Sequence, residues 1–415
     1  MSDLSTIKNC RICRSTDIPE VINLGSFPIP NGFLSKTQLK KKEKKYPLRV
    51  CLCQNCGLVQ LLDIVDPEVM FKNYLYIPST SGPRVDQFKG LVESAEEKVG
   101  FNENDLVIDI GSNDGSLLIA FREKGVKVLG IDPAENLVKV AQLNGVDTVL
   151  GYVDTKLSKE IIRKNKKAKV VTATNVMAHI GNLPELISSL EILLKDDGIF
   201  ISHFPYLIDL IDKKQFDTIY HEHLSYFSLK PLMELVKESE LEIFDFEMSP
   251  LDGGSIRIYW KKKKNKNLKV KSDKIDKQIQ KEIEFGCYSN NRYKEFNLDI
   301  KRLKKEIKSL LSKLKGEKKV TVGYGASARG NIALNYFNIT KKDLQYIVDS
   351  TPYKQGLYTP GTHIPIFSED RIYEIHPDYI LILAWNFKNE IMRKNLKFKR
   401  QGGRFIVIDN EVELY

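Results

Sequence analysis

A chain of 415 residues, 42% hydrophobic and 28% charged, exceeds one ordinary core. It has a folded globular composition, which excludes a disordered or fibrous polymer and predicts two or three domains. No stretch approaches the roughly 20 consecutive apolar residues of a membrane-spanning helix, and the opening MSDLSTIKNC has no apolar export signal, so a cytoplasmic protein with no membrane partner is expected. The net charge of +10 raises nucleic acid as a partner. The excess instead lies in runs such as Lys41-Lys42-Glu43-Lys44-Lys45 and Lys261 to Lys264, without the interleaved aromatic and Arg residues of a stacking platform. A solvated lysine face, which helps attract a phosphorylated substrate, is the better reading, with no nucleic acid bound.

Residues 1–72 form the first predicted unit. Five of the six cysteines lie before residue 57, and Cys10-x2-Cys13 pairs with Cys53-x2-Cys56 across about 40 residues. Two such knuckles present four thiolates, the set that tetrahedral Zn²⁺ prefers, and leave no open coordination position. A structural zinc held by Cys10, Cys13, Cys53 and Cys56 is therefore predicted, with Cys51 as an alternative to Cys53. A redox pair would need one CxxC at a helix start.

Residues 73–264 alternate β-type runs with helical stretches, as in a parallel, doubly wound α/β sheet. The runs are Asp105–Ile110, Val126–Ile131, Lys169–Thr174 and Gly198–His203. The first enters the turn Gly111-Ser112-Asn113-Asp114-Gly115, and the second ends at Asp132, placed to accept hydrogen bonds from ribose hydroxyls. Both NAD and S-adenosylmethionine (SAM) sites use this layout. A dinucleotide needs G-x-G-x-x-G for close approach to its pyrophosphate. Polar Asn113 and Asp114 inside this turn suit a cationic aminoacyl sulfonium instead. Beyond the next strand, Asn175 and His179 stand where open α/β sheets bind ligands. Tyr220-His221-Glu222-His223 places four donors, acceptors or titratable groups in succession, and a neutral imidazole can take a proton at neutral pH. Methyl transfer to carbon requires such a base, because the acceptor carbon must lose a proton to become a nucleophile. Spacing does not choose between His221 and His223.

Residues 265–315 read as a helical linker with one apolar stripe, Phe296, Ile300, Leu303, Ile307, Leu310 and Leu314. Residues 316–415 begin a second, smaller α/β sheet with strand candidates Leu344–Asp349, Tyr379–Ala384 and Arg404–Ile408. Its first strand runs into Gly323-Tyr324-Gly325-Ala326-Ser327-Ala328-Arg329-Gly330, a loop that either cradles a phosphate or packs a domain.

The chain closely resembles the SAM-dependent sugar C-methyltransferases that act on nucleotide-linked 4-keto-deoxysugars. The resemblance spans nearly its whole length. It rests on the paired knuckles with Cys53-Gln54-Asn55-Cys56-Gly57-Leu58-Val59-Gln60-Leu61, on Ile110-Gly111-Ser112-Asn113-Asp114-Gly115, on Phe216 to Leu224 around the YHEH segment, and on Gly253-Gly254-Ser255. At the C-terminal end it rests on Lys354-Gln355-Gly356, Pro360 to Pro365 and Ala384-Trp385-Asn386-Phe387. It implies an α/β protein with a small zinc-binding N-terminal domain, a central Rossmann-like class I methyltransferase domain and a C-terminal Rossmann-like domain.

The turn and strand ends assign SAM to Gly111, Ser112, Asn113, Asp132 and Asn175, with His179 as a candidate substrate contact; the resemblance further implies a dTDP- or GDP-linked keto-sugar bound between the central and C-terminal domains, where Ser327 and Arg329 are candidate contacts. His223 matches the general base, with Tyr220, Glu222 and Tyr76 as the other catalytic residues. The implied reaction is methylation of C3 through an enolate formed against the C4 ketone; a monomer is the expected state, although the sequence does not fix it. Two positions depart from the family pattern, His203 where Glu is expected and Asp252 where His is expected, and they leave the sugar open. A zinc-ribbon RNA methyltransferase and an NAD-dependent sugar-nucleotide oxidoreductase are the competing readings.

Overall fold

The computed structural model describes residues 3–71 and 82–415. Near the N-terminus, β1 (Leu4–Thr6) pairs with β5 (Asp63–Val65), and β2 (Glu20–Phe27), β3 (Tyr46–Leu52) and β4 (Val59–Leu61) form an antiparallel meander. Its fourth strand comes from far along the chain. β11 (Ser225–Tyr226), directly after the YHEH segment, pairs antiparallel with β4 through Ser225 with Gln60 and Tyr226 with Val59. The reactive segment is thereby hydrogen-bonded into the cysteine-bearing sheet.

The central sheet contains β6 (Leu106–Ile110), β7 (Lys127–Asp132), β8 (Thr148–Leu150), β9 (Ala168–Thr174), β10 (Leu194–Pro205), β12 (Leu241–Ser249) and β13 (Ser255–Lys262), in the order β12-β13-β10-β9-β6-β7-β8. Its strands are covered on both faces, which explains the near-continuous apolar runs. Leu106, Ile108 and Ile110 enter one core while Val107 enters another, and Phe200 and Ile201 divide likewise, as a period of two requires. One expectation is corrected here. The sheet is mixed, because β13 runs antiparallel to β10 and β12 antiparallel to β13. The connection Pro250–Gly254 is too short for a parallel crossover. It turns through left-handed Gly253 and Gly254, and a Cβ on Gly254 would lie 2.2 Å from Asp209 Cγ.

Helices Ser272–Phe285 and Asn290–Gly316 follow. The second buries Tyr293, Phe296, Ile300, Leu303, Ile307, Leu311 and Leu314. Leu311 replaces Leu310 in the predicted stripe, because the 3.6-residue period drifts along so long a helix. This face shares one core with Ile22 and Leu48 of the N-terminal sheet and with Leu381 and Ile406 of the C-terminal one. The latter comprises β14 (Thr321–Tyr324), β15 (Ile347–Val348), β16 (Ile366–Phe367), β17 (Tyr379–Ile382), β18 (Arg404–Ile408) and β19 (Val412–Leu414), in the order β16-β15-β14-β17-β18-β19, with only β19 antiparallel. The order reverses beside β6 in the central sheet and beside β14 in the C-terminal one, the switch points at which such sheets open a crevice.

Candidate active site and zinc centre

The four knuckle thiols converge. The Sγ atoms of Cys10, Cys13, Cys53 and Cys56 lie within 4.8 Å of one another, with Cys10–Cys56 at 3.6 Å and Cys13–Cys53 at 3.5 Å. A tetrahedron with Zn–S bonds of 2.3 Å has edges of about 3.8 Å, so the set fits zinc. Cys51 stands apart, its thiol donating to Gln60 O at 3.4 Å. Four thiolates close the shell, so the zinc is structural.

A cavity of about 780 Å³ lies between the carboxyl ends of the central and C-terminal sheets. Gly111, Ser112, Asn113, Asp132, Asn175, His179, Tyr220, His223, Ser327 and Arg329 all line it. Glu222 and His221 are not among the described residues that line it, and Tyr76 lies outside the described residues.

On the central-sheet side, Asp132 at the end of β7 accepts Asn113 N–H at 2.9 Å through one oxygen and Ala134 N–H at 2.8 Å through the other. Gly111 has φ +70°, and a Cβ there would lie 2.4 Å from Val176 Cγ2, so only glycine keeps the turn tight. Asp109, Asp114 and Asp154 join Asp132 in the wall. Burial pushes the Asp109 carboxyl up to about 7, although Thr172 Oγ1 donates to it at 2.6 Å. Such a carboxyl-rich wall disfavours a pyrophosphate and suits a cation carrying ribose hydroxyls. The donor set therefore fits SAM.

Beyond the cofactor side stands the imidazole cluster. His223 Nδ1 lies 2.8 Å from Thr218 O. A carbonyl only accepts, so Nδ1 bears the hydrogen and Nε2 the lone pair. Burial, followed by neighbouring His179, holds the His223 pKa well below 6.5, and burial lowers His179 to about 4. Their ring centroids are 5.0 Å apart, and the Tyr220 ring is 4.0 Å from that of His223. Burial and then Glu222 push the Tyr220 hydroxyl well above 10, so it keeps its proton. His221 faces the N-terminal sheet, 3.2 Å from Tyr46 O. Glu222 is buried and accepts Asn31 Nδ2–H at 2.7 Å. Asn175, at φ +57°, donates through Nδ2 to Asp252 at 3.2 Å. Asp252 itself lines the cavity, whereas His203 is buried in β10 between Thr174 and Arg257.

On the C-terminal side, Ser327 Oγ caps the helix Ala328–Phe337 by accepting Gly330 N–H at 3.0 Å. Arg329 donates to both oxygens of Asp217, at 2.9 and 3.2 Å, and to Asp252 O at 3.2 Å, and stacks 4.4 Å from the Trp385 ring. Trp385 Nε1–H also donates to Asp217, at 2.8 Å. Arg329 thus reaches the cavity as part of a half-buried latch that ties the helix Ala328–Phe337 and Trp385 to the buried Asp217.

Asp349, just past β15, was not singled out from sequence. One of its oxygens accepts Ala326 N–H, from the glycine-rich turn, at 2.7 Å, and the other accepts Thr351 N–H at 2.8 Å. This is the backbone construction around Asp132, repeated in the second sheet with Lys354 Nζ added 3.5 Å from one Asp349 oxygen. Asp109, Asp154, Asp217 and Asn31 were also missed. Asp349 alone had a usable signal, an acidic strand end following a glycine-rich turn.

Comparison with known proteins divides the chain into three matched segments. Residues 10–71 match a zinc binding domain, 87–245 a methyltransferase domain and 250–408 a C-methyltransferase C-terminal domain. The chain is 33% identical over 401 residues to the C-methyltransferase NovU of Streptomyces niveus, covering 97% of this chain and 95% of that one. A ubiquinone biosynthesis O-methyltransferase of Leptothrix cholodnii is 25% identical over 181 residues, 40% of this chain and 75% of that one. Among solved structures, the magnesium protoporphyrin IX methyltransferase of Synechocystis PCC 6803 with bound SAM aligns over 43% of this chain and 77% of that one, at 17% identity and a TM-score of 0.32. No helix among the described residues is long and apolar enough to cross a membrane.

Proposed function

The chain belongs to the C-methyltransferase family, and we propose that this SAM-dependent enzyme methylates C3 of a nucleotide-linked 4-keto-sugar through an enolate, in deoxysugar or surface-polysaccharide biosynthesis. One observation carries the reading. The same carboxylate cradle occurs twice, at Asp132 and Asp349, on opposite sides of a cavity whose wall includes His223 and Tyr220. One cradle suits the ribose of SAM. Its twin supports an acceptor that carries a nucleoside of its own.

SAM, when bound, supplies an electrophilic methyl group. The residues of the chain prepare the carbon that takes it. An sp3 C–H carbon is no nucleophile, but a carbon beside a ketone can lose its proton to a base. His223 is neutral at physiological pH, and Nε2 is its lone-pair atom, so it can accept that proton. The electron pair left on carbon delocalises onto the ketone oxygen. Tyr220, still protonated, can donate to that oxygen as charge develops, where a preorganised donor stabilises most. Arg329, fixed by Asp217, adds positive charge on the same wall.

The test is incubation of the full-length protein with SAM and a panel of dTDP- and GDP-linked keto-sugars, followed by mass spectrometry and NMR. The expected result is one added methyl on sugar C3. Methyl transfer to RNA instead, or to oxygen, would sink the reading.

A further inference from the structure

The long connection at residues 28–45, between β2 and β3, leaves the N-terminal sheet and crosses to the C-terminal one. Pro30 O accepts Asn331 Nδ2–H at 2.7 Å. Leu34 and Tyr358 exchange backbone hydrogen bonds, each 2.9 Å. Glu43 accepts Gly361 N–H at 3.0 Å and meets His363 Nε2 at 2.5 Å. These attachments pin the segment to the helix Ala328–Phe337 and to loop residues 358–363 of the C-terminal part, beginning at the residue before Asn31.

Asn31 itself is pinned from the other side. Its Nδ2 donates to Glu222 Oε1 at 2.7 Å, and Glu222 is 1% exposed and adjacent in sequence to His223. A carboxylate only accepts, so the nitrogen of the amide must face Glu222 and the oxygen must face away from it. Asn31 lines the same cavity as Tyr220, His223 and Arg329. The zinc-bearing part of the chain therefore contributes an oriented amide to the wall of the acceptor site.

We propose that Asn31 contacts the acceptor, its Oδ1 accepting a hydrogen bond from a hydroxyl of the substrate sugar, and that Glu222 is the positioning residue that fixes the amide. The inference rests on the hydroxylated sugar acceptor proposed above. It also gives Glu222 a task, although Glu222 does not line the cavity.

The test is steady-state kinetics on the full-length protein with a turned-over keto-sugar nucleotide and with its analogue lacking the contacted hydroxyl, alongside calorimetry with S-adenosylhomocysteine. Asn31→Ala should raise the acceptor KM roughly 10-fold, the worth of one hydrogen bond. Its kcat and S-adenosylhomocysteine affinity should stay within about 2-fold. With the deoxy analogue, wild type and variant should have the same KM. Glu222→Gln should raise KM less, and Asn31→Ala/Glu222→Gln should be no worse than Asn31→Ala alone, because Glu222 acts through Asn31. Asn31→Ser keeps a donor for Glu222 but shortens the reach into the cavity, and serves if the alanine variant does not fold. An unchanged KM in an otherwise active protein would overturn the inference alone. So would KM, kcat and cofactor affinity failing together in both Asn31 variants, which marks a packing role. A wild type that binds and methylates no sugar nucleotide would overturn the underlying acceptor reading and this inference with it.

Discussion

Substituting asparagine at Asp132 and, separately, at Asp349 separates the two ligands. In both cradles each carboxylate oxygen holds one backbone N–H, from Asn113 and Ala134 in the first and from Ala326 and Thr351 in the second. Asparagine has one acceptor oxygen. Its NH2 must then face the other N–H, so one charge-assisted bond becomes a donor–donor contact, and the negative charge toward which ribose hydroxyls point is gone. A hydrogen bond to a charged group is worth about 1.5–3 kcal/mol, and each 1.4 kcal/mol is about tenfold in affinity. Each substitution should therefore weaken its own ligand on the order of 10- to 100-fold. Calorimetry with S-adenosylhomocysteine and, independently, with a nucleoside diphosphate reads both effects. Asp132→Asn should lose the first and keep the second, and Asp349→Asn should do the reverse. Normal nucleoside diphosphate affinity in Asp349→Asn would refute the second cradle, and normal S-adenosylhomocysteine affinity in Asp132→Asn would refute the first.

Three other outcomes follow from the same geometry. Metal analysis should find one zinc per chain; Cys53→Ser should lose it together with the N-terminal sheet's stability, whereas Cys51→Ser, whose thiol donates to Gln60 O outside the four-thiol cluster, should retain it. Asp109 is held up to about 7 by burial, so it is partly protonated at neutral pH, and a bound cation favours its charged form. Affinity for SAM should therefore rise from about pH 6 to about pH 8 with proton release, and Asp109→Asn should abolish that slope. Gly111→Ala adds a Cβ that clashes with Val176 at 2.4 Å and strains a φ of +70°, the latter worth about 1–2 kcal/mol. Cofactor binding should fall, and adding Val176→Ala should restore it only in part, as titration with S-adenosylhomocysteine will show.

What the sequence made legible was local. LVIDI running into Gly111 and VKVLGID ending at Asp132 carry their own period and turn chemistry, and the four cysteines carry their spacing. The antiparallel β12 and β13 escaped because neither alternates cleanly: the pairing shifts register between Ile243 and Asp245 in β12, and β13 runs Ile258-Tyr259-Trp260 without a polar break before Lys261 and Lys262. The pairing of Ser225 with Gln60 escaped for another reason. It joins segments more than a hundred residues apart, and two-residue strands leave no pattern. Residues that act across such distances were invisible for the same cause. Asn31 gains meaning only beside Glu222, and Asp217 only beside Arg329 and Trp385. The YHEH segment read as four reactive neighbours, yet the backbone turn sends its side chains different ways. Tyr220 and His223 line the cavity, His221 meets Tyr46 O, and Glu222 meets Asn31.

The central claim is that His223 removes the proton beside the sugar ketone, and solvent-deuterium exchange tests it without methyl transfer. With S-adenosylhomocysteine bound, the wild type should wash deuterium from solvent into C3 of a nucleotide-linked 4-keto-sugar. The rate should hold down to a pH well below 6.5, because burial keeps His223 neutral there, and should fall only as the imidazole finally protonates. His223→Ala should exchange about 10²–10⁴-fold more slowly while binding S-adenosylhomocysteine normally. If His223→Ala exchanges as fast as the wild type, the base is elsewhere, and His179, 5.0 Å away ring to ring, becomes the first candidate.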